Sequence, residues 1–157
     1  MQDIDSENYL IDLEANELHY LMRVLRLRVG DPIEVVNGSG ELWAASLHGN
    51  NSLKLGTSIY QPKRRKPRSI PSLGLAVVLP RRGFGEVLRM SCELGIDTFQ
   101  PLRSDRSTPQ SMERLSRWEL IIKEAVEQSE RLWSPQILPT VDVSSWWESH
   151  PPKSALA

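Results

Sequence analysis

Arginine is the residue with the most evident chemistry in this sequence, and it occurs in three settings. In "MRVLRLR", Arg23 and Arg26 stand three residues apart, which puts both on one edge of a helix beside its apolar stripe. In "RSDRS", Arg103 and Arg106 occupy a polar loop just after an apolar segment, the position where open α/β sheets hold ligands. In "EAVEQSERLWSP", Glu124, Gln128 and Arg131 continue a stripe begun at Arg117, at steps of seven, four and three residues. Gln128 and Arg131 on such a stripe could hold an anion or a nucleotide, with Glu124 orienting an arginine. Each setting also has a plainer reading as a solvated helix edge or loop.

Charge along the chain is segregated although the net charge is only −1. Residues 1–41 carry nine acids and three arginines. From Leu42 to Gly85 there is no Asp or Glu, but there are eight bases: Lys54, Lys63, Arg64, Arg65, Lys66, Arg68, Arg81 and Arg82. An acid-free basic stretch in a near-neutral protein creates a local positive field suited to a polyanion, unless it is only a solvated linker.

Several chemistries are disfavoured. "NGSG" and "RRGFG" are glycine-rich, but neither has the spacing of a nucleotide-binding loop. His19, His48 and His150 are far apart, Cys92 has no second thiol, and no metal site is expected. Nor do these histidines permit a Ser/His/acid arrangement. The lone cysteine reads as a small core residue and fits a reducing compartment. The acidic opening "MQDIDSENYL" has no apolar targeting segment, and no apolar run is long enough to span a membrane, so a cytoplasmic protein is expected. The tryptophans read mainly as core groups, with Trp43 the most open to a base-stacking role.

The elements that must position these residues can be read from periodicity and turn chemistry. Leu18, Leu21, Met22 and Leu25 predict one amphipathic helix over residues 14–27, ended by Gly30 and Pro32. "PIEVVNGSGELWAASL" predicts a hairpin about Asn37-Gly38-Ser39-Gly40, and "HGNN" a second turn into another strand. "QPKRRKPRSIPS" has three prolines and five bases and reads as a linker. Beyond it, "LGLAVVLP" predicts a strand buried on both faces of a parallel sheet. A helix over 84–94 follows, then the strand "IDTFQPL", a long helix over about 112–132, the strand "QILPTV", and a helical fragment at "SSWWES". Such alternation implies an α/β layer with right-handed crossovers.

The order of four stretches resembles a known family. "HYLMRVLRLRVGDPIEVVNGSGE" resembles His-x-x-x-Val-Leu-Arg-Leu-x-x-Gly-Asp followed by a strand and a glycine hairpin. "LPRRGFGEVLRMSCELGI" resembles a Lys-Gly strand end and an Glu-Leu-Gly helix, and "PLRSDRS" resembles Pro-Leu-x-Ser-Glu-Arg-Ser. "RWELIIKEAVEQSERLWSPQI" resembles Arg-Trp-x-x-Ile-x-x-Glu-Ala-x-Glu-Gln-Ser-x-Arg-x-x-x-Pro. Together, from about Tyr9 to Trp147, they are similar to the bacterial ribosomal RNA small subunit methyltransferase E family, which forms N3-methyluridine.

That resemblance implies a fold of β plus α/β class. Residues 1–68 would form a PUA-like RNA-binding β-barrel, and residues 69–157 the first part of an α/β trefoil-knot (SPOUT) methyltransferase domain. It implies S-adenosyl-L-methionine as cofactor, small-subunit (16S) ribosomal RNA as partner, and a homodimer formed through the knot domain. By position, Arg23 and Arg26 would contact the rRNA backbone, and Arg81, Arg106, Gln128 and Arg131 would face the target uridine. Lys63, Arg64, Arg65, Lys66 and Arg82 complete the expected RNA-binding set. Arg131→Ala is then expected to abolish methylation and leave the fold intact. No residue is identified as the proton acceptor.

The family's Gly-Pro-Glu-Gly-Gly turn and Leu-Gly-x-x-Ile-Leu-Arg-x-Glu-Thr-Ala stretch have no counterpart here, nor does its usual first strand, and Arg81 stands where lysine is favoured. The cofactor site is therefore expected beyond Ala157, in a longer enzyme of which these residues alone are inactive. A complete chain of this length would instead be a non-enzymatic RNA-binding module. A weaker alternative is an anion-binding α/β domain without an RNA role, distinguishable by salt-insensitive binding.

Overall fold

The computed structural model describes residues 9–49, 51–107 and 115–150 of the 157-residue chain. It divides into two compact units, Met1–Pro67 and Arg68–Ala157, within the basic proline-rich segment.

The first unit is an antiparallel sheet. Its strands are β1 (Leu10–Asp12), β2 (Pro32–Val36), β3 (Glu41–His48), β4 (Ser52–Leu55) and β5 (Arg64–Arg65), in the order β1-β4-β3-β2 with β5 also on β3. Alternation along β3 sends Trp43, Ala45 and Leu47 inward, where they pack with Leu21, Leu53 and Leu55. The β2–β3 hairpin forms as its sequence predicts. Asn37 Oδ1 accepts the Ser39 and Glu41 N–H groups at 2.8 and 3.2 Å. Gly38 and Gly40 take φ of +68° and +93°, a region costly for any residue with a Cβ. Trp43 is a core residue with its Nε1 unpartnered among the described residues, not an exposed stacking platform.

The helix expected over 14–27 is shorter and of two kinds. An α-helix, α1 (Ala15–His19), runs directly into a π-helical turn, Tyr20–Val24. The Leu25 N–H reaches back to the Tyr20 carbonyl at 3.0 Å, and Leu27 to Leu21 at 3.0 Å. This wider winding brings Leu21 and Leu27 to the core and leaves Met22 and Leu25 exposed, so the apolar stripe is only partly used. Two further elements were not foreseen: β1, which pairs with β4, and β5, which lies inside the segment read as a linker.

The second unit is a parallel sheet with crossover helices. It contains β6 (Gly74–Val78), α2 (Phe84–Glu93), β7 (Thr98–Arg103), α3 (Leu115–Gln128), β8 (Gln136–Ile137), β9 (Val141–Asp142) and α4 (Val143–Ser149). β6 and β8 flank β7, and β9 pairs with the far end of β7. "QILPTV" is thus two short strands rather than one. Pro139 cannot donate to the ladder, and its carbonyl accepts instead from Gln100 Nε2 at 2.8 Å. β6 is half-buried to exposed rather than covered on both faces, since it pairs only with β7 among the described residues.

The core of this unit joins Leu79, Phe84, Leu88, Cys92, Phe99, Trp118, Ile122, Ala125 and Val126. Phe84 and Trp118 meet edge to face with centroids 4.7 Å apart. Burying each ring contributes about 1.5–3 kcal/mol, with roughly 1 kcal/mol more from the pair geometry. α2 and α3 approach so closely that a Cβ on Gly85 would sit 2.9 Å from Ile121 Cδ1. Residues 112–114 of the expected long helix lie outside the described residues.

Candidate nucleic-acid interface

The basic stretch of the first unit does not present its full charge. β5 lies antiparallel to β3 with Arg65 opposite Glu41 and Arg64 opposite Leu42. Arg65 Nε donates to Glu41 Oε1 at 2.9 Å and its terminal nitrogen to the Tyr60 carbonyl at 3.3 Å. Lys63 Nζ donates to Glu34 Oε1 at 2.9 Å. Glu34 and Glu41 are therefore paired with Lys63 and Arg65, and charges separated in sequence are partly matched in space. These pairs are well exposed, so each contributes at most about 1 kcal/mol to stability, but each still lowers the local field. Arg23 and Arg26 do not share a helix edge. Arg23 lies in the π-helical turn, and Arg26 follows it with φ +58°; both are exposed.

In the second unit, the carboxyl end of β6 and the start of α2 open onto a cleft of about 510 Å³. Arg81 and Arg82 line it from the turn before α2, Arg89 and Glu86 from α2, and Arg117 and Glu124 from α3. Its deeper wall is apolar, formed by Leu79, Phe84, Trp118 and Ile121. Arg89 is held by Glu86 at 2.8 Å; Arg81, Arg82 and Arg117 form no ion pair among the described residues. The sequence marked Arg81 and Arg82. Arg89 and Glu86 are not in that expected set, although their i, i+3 spacing is a signal for a paired helix edge.

The stripe Arg117, Glu124, Gln128, Arg131 does not exist as a continuous wall. α3 stops at Gln128, Ser129 Oγ turns back to the Ala125 carbonyl, and Glu130 takes φ +52°. Arg131 therefore leaves the helix axis. Its guanidinium donates to the Cys92 carbonyl at 2.5 Å and the Ile96 carbonyl at 3.0 Å, and lies 3.6 Å from Asp97 Oδ1. Asp97 is buried, and its Oδ2 accepts the Leu73 N–H at 3.0 Å. Arg131 is thus the cation beside a buried carboxylate and ties together the ends of α2, β7 and α3. Gln128 is exposed one turn beyond Glu124 and is not part of the cleft lining, and Arg106 is exposed in the loop after β7. The structure does not assemble Arg81, Arg106, Gln128 and Arg131 into one site.

Two other arginines have internal partners. Arg103, at the end of β7, makes a bidentate pair with Asp142 at the end of β9, both contacts 2.6 Å. The hydrogen bonds from Arg103 hold the Asp142 carboxyl below its usual range, and they raise the arginine in return. Arg68 lies 5.5 Å from the Trp133 ring centroid in a cation–π contact. Burial pushes the Cys92 thiol up, with Arg131 opposing, so this cysteine is a neutral core group. No group of three or more potential metal ligands occurs among the described residues, and no described helix is long and apolar enough to cross a membrane.

Comparison with known proteins matches both units. Residues 67–157 match the RNA methyltransferase domain family, and residues 13–55 match the RNA methyltransferase PUA domain. The chain is 41% identical over 130 residues to ribosomal RNA small subunit methyltransferase E of Synechocystis sp., covering 81% of this chain and 42% of that protein. It is 30% identical over 147 residues to the enzyme of the same name from Rickettsia conorii, covering 90% and 58%. A solved ribosomal RNA small subunit methyltransferase E from Neisseria gonorrhoeae, bound to S-adenosyl methionine, superposes with TM-score 0.70 at 25% identity, covering 90% of this chain and 60% of that one. The chain spans about half the length of the curated relatives it matches.

Proposed function

The chain belongs to the ribosomal RNA small subunit methyltransferase E family, and we propose that it is the RNA-binding and substrate-positioning part of an enzyme that methylates N3 of a uridine in small-subunit (16S) rRNA. The observation that carries this reading is the ordered match of two RNA methyltransferase-associated domains to the two units of the fold. In this reading the antiparallel sheet closes as a PUA-like barrel, with domains at 1–68 and 69–157. The parallel unit is the first part of a trefoil-knot domain through which two copies pair, and the protein works in the cytoplasm.

S-adenosylmethionine is the methyl donor in this proposal; two solved relatives are described as bound to it. The arginine-lined cleft does not fit that cofactor. Its four guanidinium groups against two carboxylates would oppose a sulfonium cation. We propose that the cofactor is held away from this cleft.

The chain's own residues act on the RNA. N3 of uridine lies on the Watson–Crick edge, so the base must be unpaired or extruded before it can react. Cationic side chains that fix the flanking backbone set the register in which that base is presented. The test is N3-methyluridine in 16S rRNA, measured by mass spectrometry after deletion of the gene encoding this chain. Loss of the nucleoside, restored by complementation, is expected; an unchanged level overturns the reading.

A further inference from the structure

The cleft of the second unit is built for a particular part of an RNA. Its arginines come from three places in the chain, yet they converge on one opening: Arg81 and Arg82 from the β6–α2 turn, Arg89 from α2, and Arg117 from the first turn of α3. Only Arg89 has a carboxylate partner among the described residues. The lining therefore carries four cations against two acids, with three guanidinium groups free to bind. A planar guanidinium fork matches the paired oxygens of a phosphate, and several forks around one opening suit consecutive phosphates of a chain.

A nucleobase is a poor fit for the same place. Base recognition in RNA stacks unpaired bases on exposed aromatic faces or guanidinium planes and reads their edges by hydrogen bonds, and the aromatic part of that set is missing here. The two aromatic rings here, Phe84 and Trp118, are buried to 7% and 5% exposure. They also pack edge to face with centroids 4.7 Å apart, which leaves little of either ring for a ligand to stack on.

We infer that this cleft grips phosphodiester groups of the RNA backbone rather than the base that is modified, and that Arg117 is one of the gripping residues. The inference rests on the family reading for the identity of the RNA, but not for the chemistry of the cleft.

The test is fluorescence anisotropy of the chain with labelled oligouridylate, and with an abasic oligomer of the same backbone, across a KCl series. Arg117→Gln is expected to weaken both oligomers about tenfold and to shrink the slope of log K against log salt by ~0.7, one phosphate contact on a single strand. Arg117→Lys keeps the slope, because the charge remains. Arg117 is exposed on α3, so circular dichroism of the variants should match the wild type. An unchanged slope in Arg117→Gln overturns the inference, and so does a loss confined to the oligomer that carries bases. Failure of the family reading looks different: N3-methyluridine would survive gene deletion while the Arg117 salt effect remained.

Discussion

The two basic regions of this chain use their cations in opposite ways. In the first unit, Lys63 is ion-paired with Glu34, and strand pairing sets Arg65 opposite Glu41. In the second, Arg81, Arg82 and Arg117 surround a cleft with no ion pair among the described residues. Counting charges along the chain favours the first region, which has four consecutive bases. Counting them in space favours the second. An antiparallel fold brings distant segments side by side, so a run without acids in sequence can still be matched by acids from neighbouring strands. Arg131 adds a third case, an arginine committed to the core.

The largest effect that would test this contrast is at Arg131. If its charge serves Asp97, Arg131→Ala should destabilise the second unit by about 3 kcal/mol, because a buried carboxylate loses its counter-cation and two carbonyls lose a donor. Urea denaturation measures this. Arg131→Ala combined with Asp97→Asn should cost less than Arg131→Ala alone, since the unpaired charge goes with it. A single-variant cost below about 1 kcal/mol, the scale of ordinary surface changes, would return Arg131 to the list of ligand contacts.

The second test releases the matched charges. Glu34→Gln with Glu41→Gln frees Lys63 and Arg65 and should strengthen RNA binding several-fold, with a salt slope steeper by up to ~1.4 for two added single-strand phosphate contacts. Removing the bases instead, by Lys63→Ala with Arg65→Ala, should weaken RNA binding less than Arg82→Gln with Arg117→Gln. Equal losses would erase the distinction between the regions.

What was legible in the sequence followed from local chemistry. Asn37-Gly38 announced the hairpin, and the helices expected over 84–94 and about 112–132 lie where α2 and α3 form. What was missed depended on contacts with other segments. The π-helical turn at Tyr20–Val24 leaves the heptad-like spacing intact on paper but rotates Met22 and Leu25 outward. Strand β5 exists only because Glu41–Leu42 is there to pair with it. The end of α3 at Gln128 could not be read from a polar stripe that continued for three more residues, so the internal partners of Arg131 were not legible. Asp97 gave the one available hint, an acid in an otherwise apolar strand entry that required a cation from somewhere.

The smallest expected effect sharpens the comparison within the second unit itself. Arg103 and Arg106 are three residues apart, but Arg103 is paired with Asp142 and Arg106 is exposed in the loop. The pair lowers the folded-state value of the Asp142 carboxyl, so its stabilising contribution is complete above the unfolded carboxylate value, about pH 3.9, and is lost as pH falls through the lower folded value. Thermal midpoints of the wild type and Asp142→Asn should therefore differ above pH ~4 and converge below it. A difference independent of pH would mean that Asp142 acts through packing or its amide-compatible hydrogen bonds rather than its charge. Because Arg103 is committed to that pair, Arg106→Gln should reduce RNA affinity more than Arg103→Gln at equal fold stability. The reverse order would show that the pair opens for RNA, and that the contrast between matched and unmatched arginines is not fixed by the fold.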